Sequence, residues 1–312
     1  MSDEYEVVVV GGGLAAMSAA MTSARIGRRT TILTGGVPGG QLVSINKIEG
    51  VPGFPEGVAG YDLCPMAQEQ AVAAGVEFRM AQADSVVADG ERWRIDNAEG
   101  AIVARAVIVA TGTTLAKLGV PGEERLLGKG VSHCASCDAP LLRNQVAVVV
   151  GGGDSGLQEA LTLVEHVARV VLLERGDALT GQASYRDLVR ANSKIEVRCG
   201  VTVSEIVGDG TVSHLRVQDV AAGTESDLAT AAVFPCIGLV PSSDLVRELL
   251  PLDATGRIRV DAAMRTPARG VCAAGNVRQG SPHRAAGAMG DGAAAAVAID
   301  RYLATGEWRG LD

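Results

Sequence analysis

Two copies of one pattern, an apolar strand, a glycine turn and a helix, restrict the possible folds of this chain. In the first copy, the strand from Tyr5 leads into Gly11-Gly12-Gly13, and an Ala-rich helical stretch and a second strand follow. The second copy begins at Gln145 and reads QVAVVVGGGDSGLQEALTLVEHVARVVLLERGD. A G-x-G-x-x-G/A turn between a strand and a helix is typical of a dinucleotide-binding βαβ unit. The chain therefore predicts an α/β fold with two dinucleotide sites.

The small residues of both turns have a direct physical role. They are Gly11, Gly13 and Ala16 in the first turn and Gly151, Gly153 and Gly156 in the second. Without bulky side chains, backbone N–H groups can approach a pyrophosphate, and the helix N-terminus adds partial positive charge. A glycine-rich turn without a ligand is the alternative. The 40 glycines among 312 residues favour backbones that approach ligands closely or turn tightly.

The order of the remaining segments predicts that one domain is inserted into the other. An apolar strand ends in Ala110-Thr111-Gly112, and the segment AAVFPCIGLVPSS (231–243) has the same shape. A further strand, a glycine turn and an Ala-rich helix complete the chain. We expect two nested Rossmann-like dinucleotide-binding domains of three-layer ββα type. The outer domain would comprise residues 1–114 and 240–312, and the inserted domain residues 115–239.

Charge and hydropathy exclude several classes of partner. The net charge of −8 argues against nucleic acid or an anionic membrane, because both attract basic surfaces. The acidic N-terminus, MSDEYE, is unlike the basic start of a secretory signal. No uncharged apolar run is long enough for a transmembrane helix. We expect a cytoplasmic protein with no nucleic-acid or membrane partner.

Two of the six cysteines are spaced for joint chemistry. Cys134 and Cys137 lie in the stretch HCASCDAP, whereas the other four stand alone and are predicted to be buried, unreactive thiols. The pair could be a redox-active disulfide, half of a zinc site, or two idle thiols. A structural zinc site needs four ligands, and there is no second C-x-x-C; His133 would still leave the set incomplete. We therefore predict no metal, and the spacing leaves the other two interpretations open.

The order of these motifs resembles that of the low-molecular-weight thioredoxin reductases over essentially the full chain. The resemblance implies FAD in the outer domain, a nicotinamide nucleotide and the redox cysteines in the inserted domain, and a homodimer. The matching landmarks are Gly11-Gly12-Gly13, Gly39-Gly40-Gln41-Leu42, Pro52-Gly53, Ala110-Thr111-Gly112, Cys134-Ala-Ser-Cys137-Asp138, Gly151-Gly152-Gly153-Asp154-Ser155, Ala274-Gly275-Asn276-Val277 and Arg284-Ala285.

The resemblance also implies two sets of binding residues. Candidates for FAD are Gly11, Gly13, Leu14, Ala15, Ala16, Gly40, Gln41, Leu42, Ala110, Thr111, Gly112, Gly275, Asn276, Arg284, Ala285 and Ala286. The helix that opens at Arg284 would aim backbone N–H groups at the N1–C2=O edge of the flavin. Candidates for the nicotinamide nucleotide are Gly151, Gly153, Asp154, Ser155, Gly156, Glu174, Arg175, Ile237 and Gly238.

Three residues are the predicted catalytic groups. By resemblance, Cys137 would lie nearer the flavin and Cys134 would be the more exposed exchange thiol. A cysteine before a helix start gains thiolate character, which is the nucleophilic form. Asp138 follows the pair directly and is suited to moving the thiol proton, with a helix cap as the alternative role.

The inserted domain departs from the family where the adenosine ribose would bind. NADPH-using relatives carry a His-Arg-Arg cluster and a further arginine there, but this chain reads ERGDALT from Glu174 to Thr180, without two of the three arginines. Each charged hydrogen bond to a 2′-phosphate contributes about 1.5–3 kcal/mol, so the loss corresponds to about 10²- to 10⁴-fold in affinity. Glu174 lies 23 positions after Gly151, near the spacing of an acid that binds the ribose diol. We predict NADH rather than NADPH.

Other departures concern the flavin and the substrate. Gly50, Asn276 and Ala285 stand where the family usually has Asn, Asp and Gln, whereas the missing acid for the FAD ribose after the second strand, which ends in ILTGG, is a feature that the thioredoxin reductases often share. These changes suggest a substrate other than ordinary thioredoxin. The leading hypothesis is a reductase that passes electrons from NAD(P)H through FAD and Cys134–Cys137 to a thioredoxin-like protein or a small-molecule disulfide. The alternatives are an FAD-dependent dithiol oxidase that uses oxygen and no nicotinamide, and a non-enzymatic flavin redox sensor.

Overall fold

A computed structural model describes residues 3–309 of the chain. The chain divides into two compact units, one comprising residues 1–114 and 240–312 and the other residues 115–239. We call them the outer unit and the inserted unit. No helix in the described residues is both long and apolar enough to cross a membrane.

Helices and strands make up both units. The first segment of the outer unit contains β1 (Asp3–Val10), α1 (Leu14–Arg25), β2 (Thr30–Leu33), α2 (Gly60–Ala73), β3 (Glu77–Arg79), β4 (Ala83–Asp89), β5 (Arg92–Asn97) and β6 (Gly100–Val109). After β7 (Thr113–Leu115), the inserted unit contains α3 (Ala135–Asp138), β8 (Val146–Val150), α4 (Asp154–Leu163), β9 (Arg169–Glu174), α5 (Ala183–Ala191), β10 (Ile195–Cys199), β11 (Val201–Val207), β12 (His214–Asp219), β13 (Glu225–Ala229) and β14 (Ala232–Pro235). After β15 (Leu239–Pro241), the chain ends with β16 (Val271–Ala273) and α6 (Ala285–Thr305).

The outer unit is built on a sheet in the order β3-β2-β1-β6-β5-β4, with β16 also paired to β6. β1 runs parallel to β2 and β6, while β4, β5 and β6 form an antiparallel meander. The valines of β1 are buried on both faces: Val7 and Val9 pack against the alanines of α1 and α6, and Val8 and Val10 against Trp93 and its neighbours. Burial on both faces explains an unbroken apolar run in place of alternation.

Helices α1 and α6 pack closely on one face of this sheet. A Cβ added to Gly292 of α6 would lie 2.2 Å from the carbonyl oxygen of Ala15 in α1. The glycine and the many alanines of both helices therefore allow the two backbones to approach each other.

The inserted unit repeats the layered arrangement with fewer strands. Its central sheet, in the order β10-β9-β8-β14, is entirely parallel. Val149 and Leu172 face the helical layer, while Val148 and Leu173 face the antiparallel sheet β11-β12-β13. The layers are therefore sheet, sheet and helices, as expected for a three-layer ββα domain.

Candidate functional site

The outer unit contains a cleft of about 560 Å³ beyond the carboxyl ends of its parallel strands. Val10 ends β1, Ala110 follows β6 and Ala274 follows β16, and all three line the cleft. In open α/β sheets, ligands bind in the crevice outside the carboxyl ends of the strands. The cleft therefore occupies the position expected for a dinucleotide.

Most of the residues predicted for FAD line this cleft. They are Gly11, Gly13, Leu14, Ala15, Gly40, Gln41, Leu42, Ala110, Thr111, Gly112, Gly275, Asn276, Arg284 and Ala285. Ala16 and Ala286 lie outside its lining. Ala16 is fully buried in the core between α1 and the sheet, because this motif position packs the helix onto the strand. Ala285 and Ala288 share the helix face that borders the cleft, and Ala286 lies one residue, about 100°, around the helix.

The first glycine turn is shaped to accept a phosphate group. Gly11 has φ +124°, and a Cβ there would lie 2.2 Å from the carbonyl oxygen of Ala110, so only glycine fits. Gly13 precedes α1, has open space on its Cβ side, and gives the helix no side-chain cap. The first N–H groups of a helix lack intrahelical partners, so they are available to an anion in the cleft.

Polar groups in the cleft also fit a bound cofactor. The hydroxyl of Thr113 is buried and has no hydrogen-bond partner among the described residues. A buried hydroxyl without a partner costs about 1–3 kcal/mol, which a ligand atom would offset. Gln41 Nε2 donates to the Thr113 carbonyl oxygen at 2.6 Å, and Ser281 Oγ donates to Asn276 Oδ1 at 2.9 Å. The residues present therefore fit FAD.

Several cleft residues were not predicted from the sequence. Among them are Gly12, Thr34, Gly35, Val37, Gly39, Gln82, Ala83, Thr113, Ser242, Asp244 and His283. Thr34 directly follows a parallel strand, which is a signal that could have identified it. Burial and the nearby cations Arg257 and Arg284 lower the pKa of His283, so its imidazole is neutral at pH 7.

The second glycine turn, in the inserted unit, has the same construction. Gly151 has φ +119°, and its Cβ would lie 2.2 Å from the carbonyl oxygen of Cys236. A Cβ on Gly156 would lie 1.8 Å from the Gly151 carbonyl oxygen. Gly153 precedes α4 without a side-chain cap, and its Cβ side is nearly open. A side chain at Gly151 or Gly156 would therefore clash with the backbone, whereas the side of the turn at Gly153 is accessible to a ligand.

Glu174 lies directly against this turn. Its Oε2 accepts the N–H of Gly152 at 2.6 Å, and its Oε1 accepts the N–H of Gly176 at 2.7 Å. Arg175 is exposed and makes no side-chain hydrogen bond or ion pair within the described residues. A negative charge, and not a cluster of cations, therefore lies at the end of β9.

The other residues predicted for the nicotinamide nucleotide are distributed around the turn. Asp154 begins α4, and its Oδ1 accepts the backbone N–H of Gln182 at 2.7 Å. Ser155 is exposed in the first turn of α4. Ile237 and Gly238 follow β14, and Gly238 has φ +123°. The structure therefore brings Gly151, Gly153, Gly156 and Glu174 together and leaves Arg175 in solvent.

Cys134 and Cys137 form a disulfide at the start of the short helix α3, with Cα atoms 5.3 Å apart. Cys134 caps this helix, because its Sγ accepts the N–H of Cys137 at 3.3 Å. Cys134 is half-buried and Cys137 is exposed, the opposite of the exposures expected. The capping position explains this reversal, since the Cys134 side chain folds back onto the backbone of the first turn of α3. Asp138 provides no side-chain cap, which leaves its carboxylate available for proton transfer.

The remaining cysteines are separate from this pair. Burial raises the pKa of the thiols of Cys64, Cys236 and Cys272. Cys199 differs from the expected buried thiol, because it is exposed at the end of β10. In the described residues, no three His, Cys, Asp or Glu side chains are grouped as metal ligands.

Sequence comparison identifies the family of this chain. Residues 5–292 match the pyridine nucleotide-disulphide oxidoreductase family. The chain belongs to this family. It is 36% identical over 305 residues to a thioredoxin reductase of Treponema pallidum, covering 98% of this chain and 99% of the relative. It is 37% identical over 301 residues to one of Mycolicibacterium smegmatis, covering 96% and 97%.

Solved structures agree with the sequence comparison. The thioredoxin reductase of Lactococcus lactis, in a crystal structure described as the FR conformation, matches with a TM-score of 0.93 and 34% identity over 96% of this chain and 99% of that one. The enzyme of T. acidophilum matches with a TM-score of 0.92 and 32% identity over 97% and 100%. The predicted family, the nested Rossmann-like fold and the class of enzyme, an FAD-dependent disulfide oxidoreductase, are confirmed. The family implies FAD and a nicotinamide cofactor.

Proposed function

We propose that this enzyme transfers electrons from NADH, by way of FAD held in the outer-unit cleft, to the Cys134–Cys137 disulfide and on to the disulfide of a thioredoxin-like protein. The observation that carries the proposal is the disulfide itself: the two cysteines of one C-x-x-C motif are bonded, Cys137 is exposed, and the chain belongs to a family of disulphide oxidoreductases. The names of the relatives, thioredoxin reductases, support a thioredoxin-like partner.

The outer unit would hold FAD through backbone groups. The N–H groups that follow Gly13 would meet the pyrophosphate, and the Thr113 hydroxyl would find a partner. Helix α6 also begins without a side-chain cap at Arg284 and Ala285, which line the cleft, so its first N–H groups would be available to the flavin. When bound, FAD supplies the two-electron exchange that links a hydride donor to a disulfide.

Glu174 favours NADH as the hydride donor. A carboxylate has about four acceptor positions, and the bonds to Gly152 and Gly176 occupy two, so the ribose hydroxyls can use the rest. A 2′-phosphate at the same place would meet negative charge, with Arg175 the remaining cation of the family's cluster. We expect kcat/KM for NADH to exceed that for NADPH by about 10²-fold or more.

Two electrons break the S–S bond of the Cys134–Cys137 disulfide and leave a thiolate. This thiolate attacks one sulfur of the partner's disulfide, forms a mixed disulfide with it, and releases the partner's other sulfur as a thiolate. The exposure of Cys137 favours it as the exchange thiol, and Asp138 next to it would carry the proton. A Cys134→Ser variant should then trap a partner as a lasting mixed disulfide through Cys137. Trapping by Cys137→Ser and not by Cys134→Ser would reverse the assignment.

Anaerobic addition of NADH to the yellow enzyme tests the proposal as a whole. NADH should bleach the flavin within the dead time of manual mixing, whereas NADPH should bleach it much more slowly. A flavin that stays yellow with both nucleotides but is bleached by a small dithiol would instead identify a dithiol oxidase. Efficient bleaching without turnover of any disulfide substrate would favour the redox sensor. The homodimer and the cytoplasmic location remain predictions.

A further inference from the structure

We propose that Glu159 is a positioning residue that sets the reduction potential of the Cys134–Cys137 pair: its carboxylate, bonded to the backbone directly behind the pair, disfavours the thiolate and makes the dithiol a stronger reductant. The inference rests on the proposed role of this pair as the redox centre. It concerns a residue on α4 that neither the nucleotide site nor the sulfur exchange has used.

A direct contact links Glu159 to the redox motif. Glu159 Oε2 accepts the backbone N–H of Ala135 at 2.7 Å. Ala135 is fully buried, follows Cys134 in the chain, and is the first residue of α3. In the same turn, the N–H of Cys137 donates both to Cys134 Sγ at 3.3 Å and to the Cys134 carbonyl oxygen at 3.2 Å. The carboxylate and the sulfur therefore share the backbone donors of a single short turn.

The surroundings of Glu159 leave its charge uncompensated by a cation. It is half-buried, and its one hydrogen bond within residues 3–309 is the bond from Ala135. Burial, which outweighs the hydrogen bond from the Ala135 N–H, raises the pKa of its carboxyl. Of the segments packed against α4, α3 carries the redox cysteines and Asp138, and Cys236 follows β14. Helix α5 and strand β9 also pack against α4 and carry the cations Arg169, Arg186 and Arg190, but none of these forms an ion pair with Glu159 in the described residues. Burial and the charge of Glu159 both raise the pKa of the Cys236 thiol, so this carboxylate acts electrostatically on a nearby sulfur.

The direction of the effect on the disulfide follows from its reduction. The disulfide takes up two electrons and one proton to give one thiol and one thiolate, or two protons to give two thiols. A negative charge beside the turn opposes the thiolate and so raises the thiol pKa. Stabilising the thiolate stabilises the reduced form and makes a pair more oxidising. The carboxylate of Glu159 therefore lowers the potential of the pair.

Two substitutions separate the charge of Glu159 from its hydrogen bond. In Glu159→Gln, the amide oxygen can still accept the Ala135 N–H but the charge is lost, whereas Glu159→Leu loses both. Glu165→Gln removes an exposed carboxylate just after the same helix and is the matched control. Each FAD-containing variant is equilibrated anaerobically with glutathione buffers at pH 8. The redox state of Cys134 and Cys137 is then read by thiol labelling and peptide mass spectrometry.

We expect Glu159→Gln and Glu159→Leu to shift the equilibrium about tenfold toward the dithiol, which corresponds to a potential about 30 mV less negative. The alkylation rate of Cys134 in a Cys137→Ser background should show a lower thiol pKa in the same two variants. Glu165→Gln should stay within twofold of the wild type. A wild-type equilibrium for Glu159→Gln, or a shift confined to Glu159→Leu, would overturn the proposal.

A third variant keeps the test decisive if the first two fold poorly. Glu159→Asp keeps the charge but shortens the side chain, so its thiol–disulfide equilibrium constant should stay within twofold of the wild type; a tenfold shift would contradict the role of the charge. The measurement uses neither NADH nor a protein substrate. Failure of the proposed function would therefore appear in the bleaching and turnover experiments, and failure of this inference only in the thiol equilibrium.

Discussion

The glycine turns of the two units have nearly the same backbone but different surroundings. The residues before the helices, Gly13 and Gly153, have φ and ψ of −81° and −179° in the first turn and −82° and −179° in the second. A Cβ added to Gly11 or to Gly151 would lie 2.2 Å from a backbone carbonyl oxygen. The outer turn opens into a cleft with an unpaired hydroxyl, whereas the inserted turn is held by Glu174.

This difference shows which residues provide the shared function and which provide the selectivity. The backbone N–H groups can bind any pyrophosphate, so they do not distinguish FAD from a nicotinamide nucleotide. The residues at the end of the second strand of each unit differ: Thr34 in the outer unit donates to the Gly36 carbonyl oxygen at 2.6 Å, while Glu174 accepts two backbone N–H groups, and we propose that this difference contributes the selectivity. Substitutions in the two glycine turns, around and at Glu174, and at Thr113 test this division, with effects that we expect to decrease in that order.

The largest effect is expected from Gly11→Ala and Gly151→Ala. At both positions the φ angle alone costs about 1–2 kcal/mol for alanine, and overlap with the carbonyl oxygen adds to it. Gly11→Ala should yield protein without bound FAD, measured by its visible absorption. Gly151→Ala should stay yellow but lose reduction by NADH. Gly210→Ala has a positive φ without a steric neighbour and serves as the control for backbone strain. Loss of FAD from both turn variants would contradict the assignment of one cofactor to each turn.

A change of cofactor preference is the next largest effect. Gly176→Arg with Thr180→Arg would place two cations beside Arg175 in the stretch from Glu174 to Thr180, where NADPH-using relatives carry arginines. Two charge-assisted bonds to a 2′-phosphate should raise kcat/KM for NADPH about 10²-fold, with little change for NADH. An arginine at the exposed Gly210 of the same unit is the control for net charge. Unchanged selectivity would show that the nucleotide binds away from the end of β9.

Substitution of Glu174 should change the use of the two nucleotides by a smaller factor, with a loss for NADH and a gain for NADPH. Glu174→Gln keeps acceptor capacity for one backbone N–H but loses the charge. We expect about a tenfold weaker use of NADH, since hydrogen bonds to a charged group contribute about 1.5–3 kcal/mol, and a modest gain for NADPH. Steady-state kinetics with both nucleotides measures the change. Equal losses for both would mean that Glu174 acts by holding the turn and not by contacting the ribose.

The sequence predicts those parts of the site that local backbone geometry determines. The positions of Gly11 and Gly151 follow from the strand–turn–helix pattern, because a turn of this shape requires a positive φ. The third motif position, Ala16, was assigned to the cleft, yet in the structure it packs α1 onto the sheet. Periodicity cannot show which side of a turn is closed by another part of the chain.

Other features depend on contacts between distant segments. Glu159 meets Ala135 24 residues away, and Gln82 reaches the cleft only because the sheet places its loop beside Thr34. The exposures of Cys134 and Cys137 depend on which sulfur caps α3, and the motif does not encode this. None of these contacts leaves a periodic signal in the sequence.

The smallest expected effect belongs to the unpaired hydroxyl of the outer cleft. Thr113→Val removes a buried donor that lacks a partner, so the apoprotein should unfold at an unchanged or slightly higher temperature. FAD should bind about 5- to 10-fold more weakly, because a neutral hydrogen bond contributes about 1 kcal/mol. Flavin fluorescence on reconstitution measures the dissociation constant.

Thr111→Val is the matched control, because Thr111 Oγ1 donates to the Ser242 carbonyl oxygen at 2.6 Å in the protein itself. Its loss should destabilise the apoprotein by about 1 kcal/mol. Opposite signs for the two threonines would show that the Thr113 hydroxyl is kept for the cofactor. An equal loss of apoprotein stability in both would mean that Thr113 has a partner within the chain. The outer turn would then lack the polar feature that distinguishes it from the turn beside Glu174.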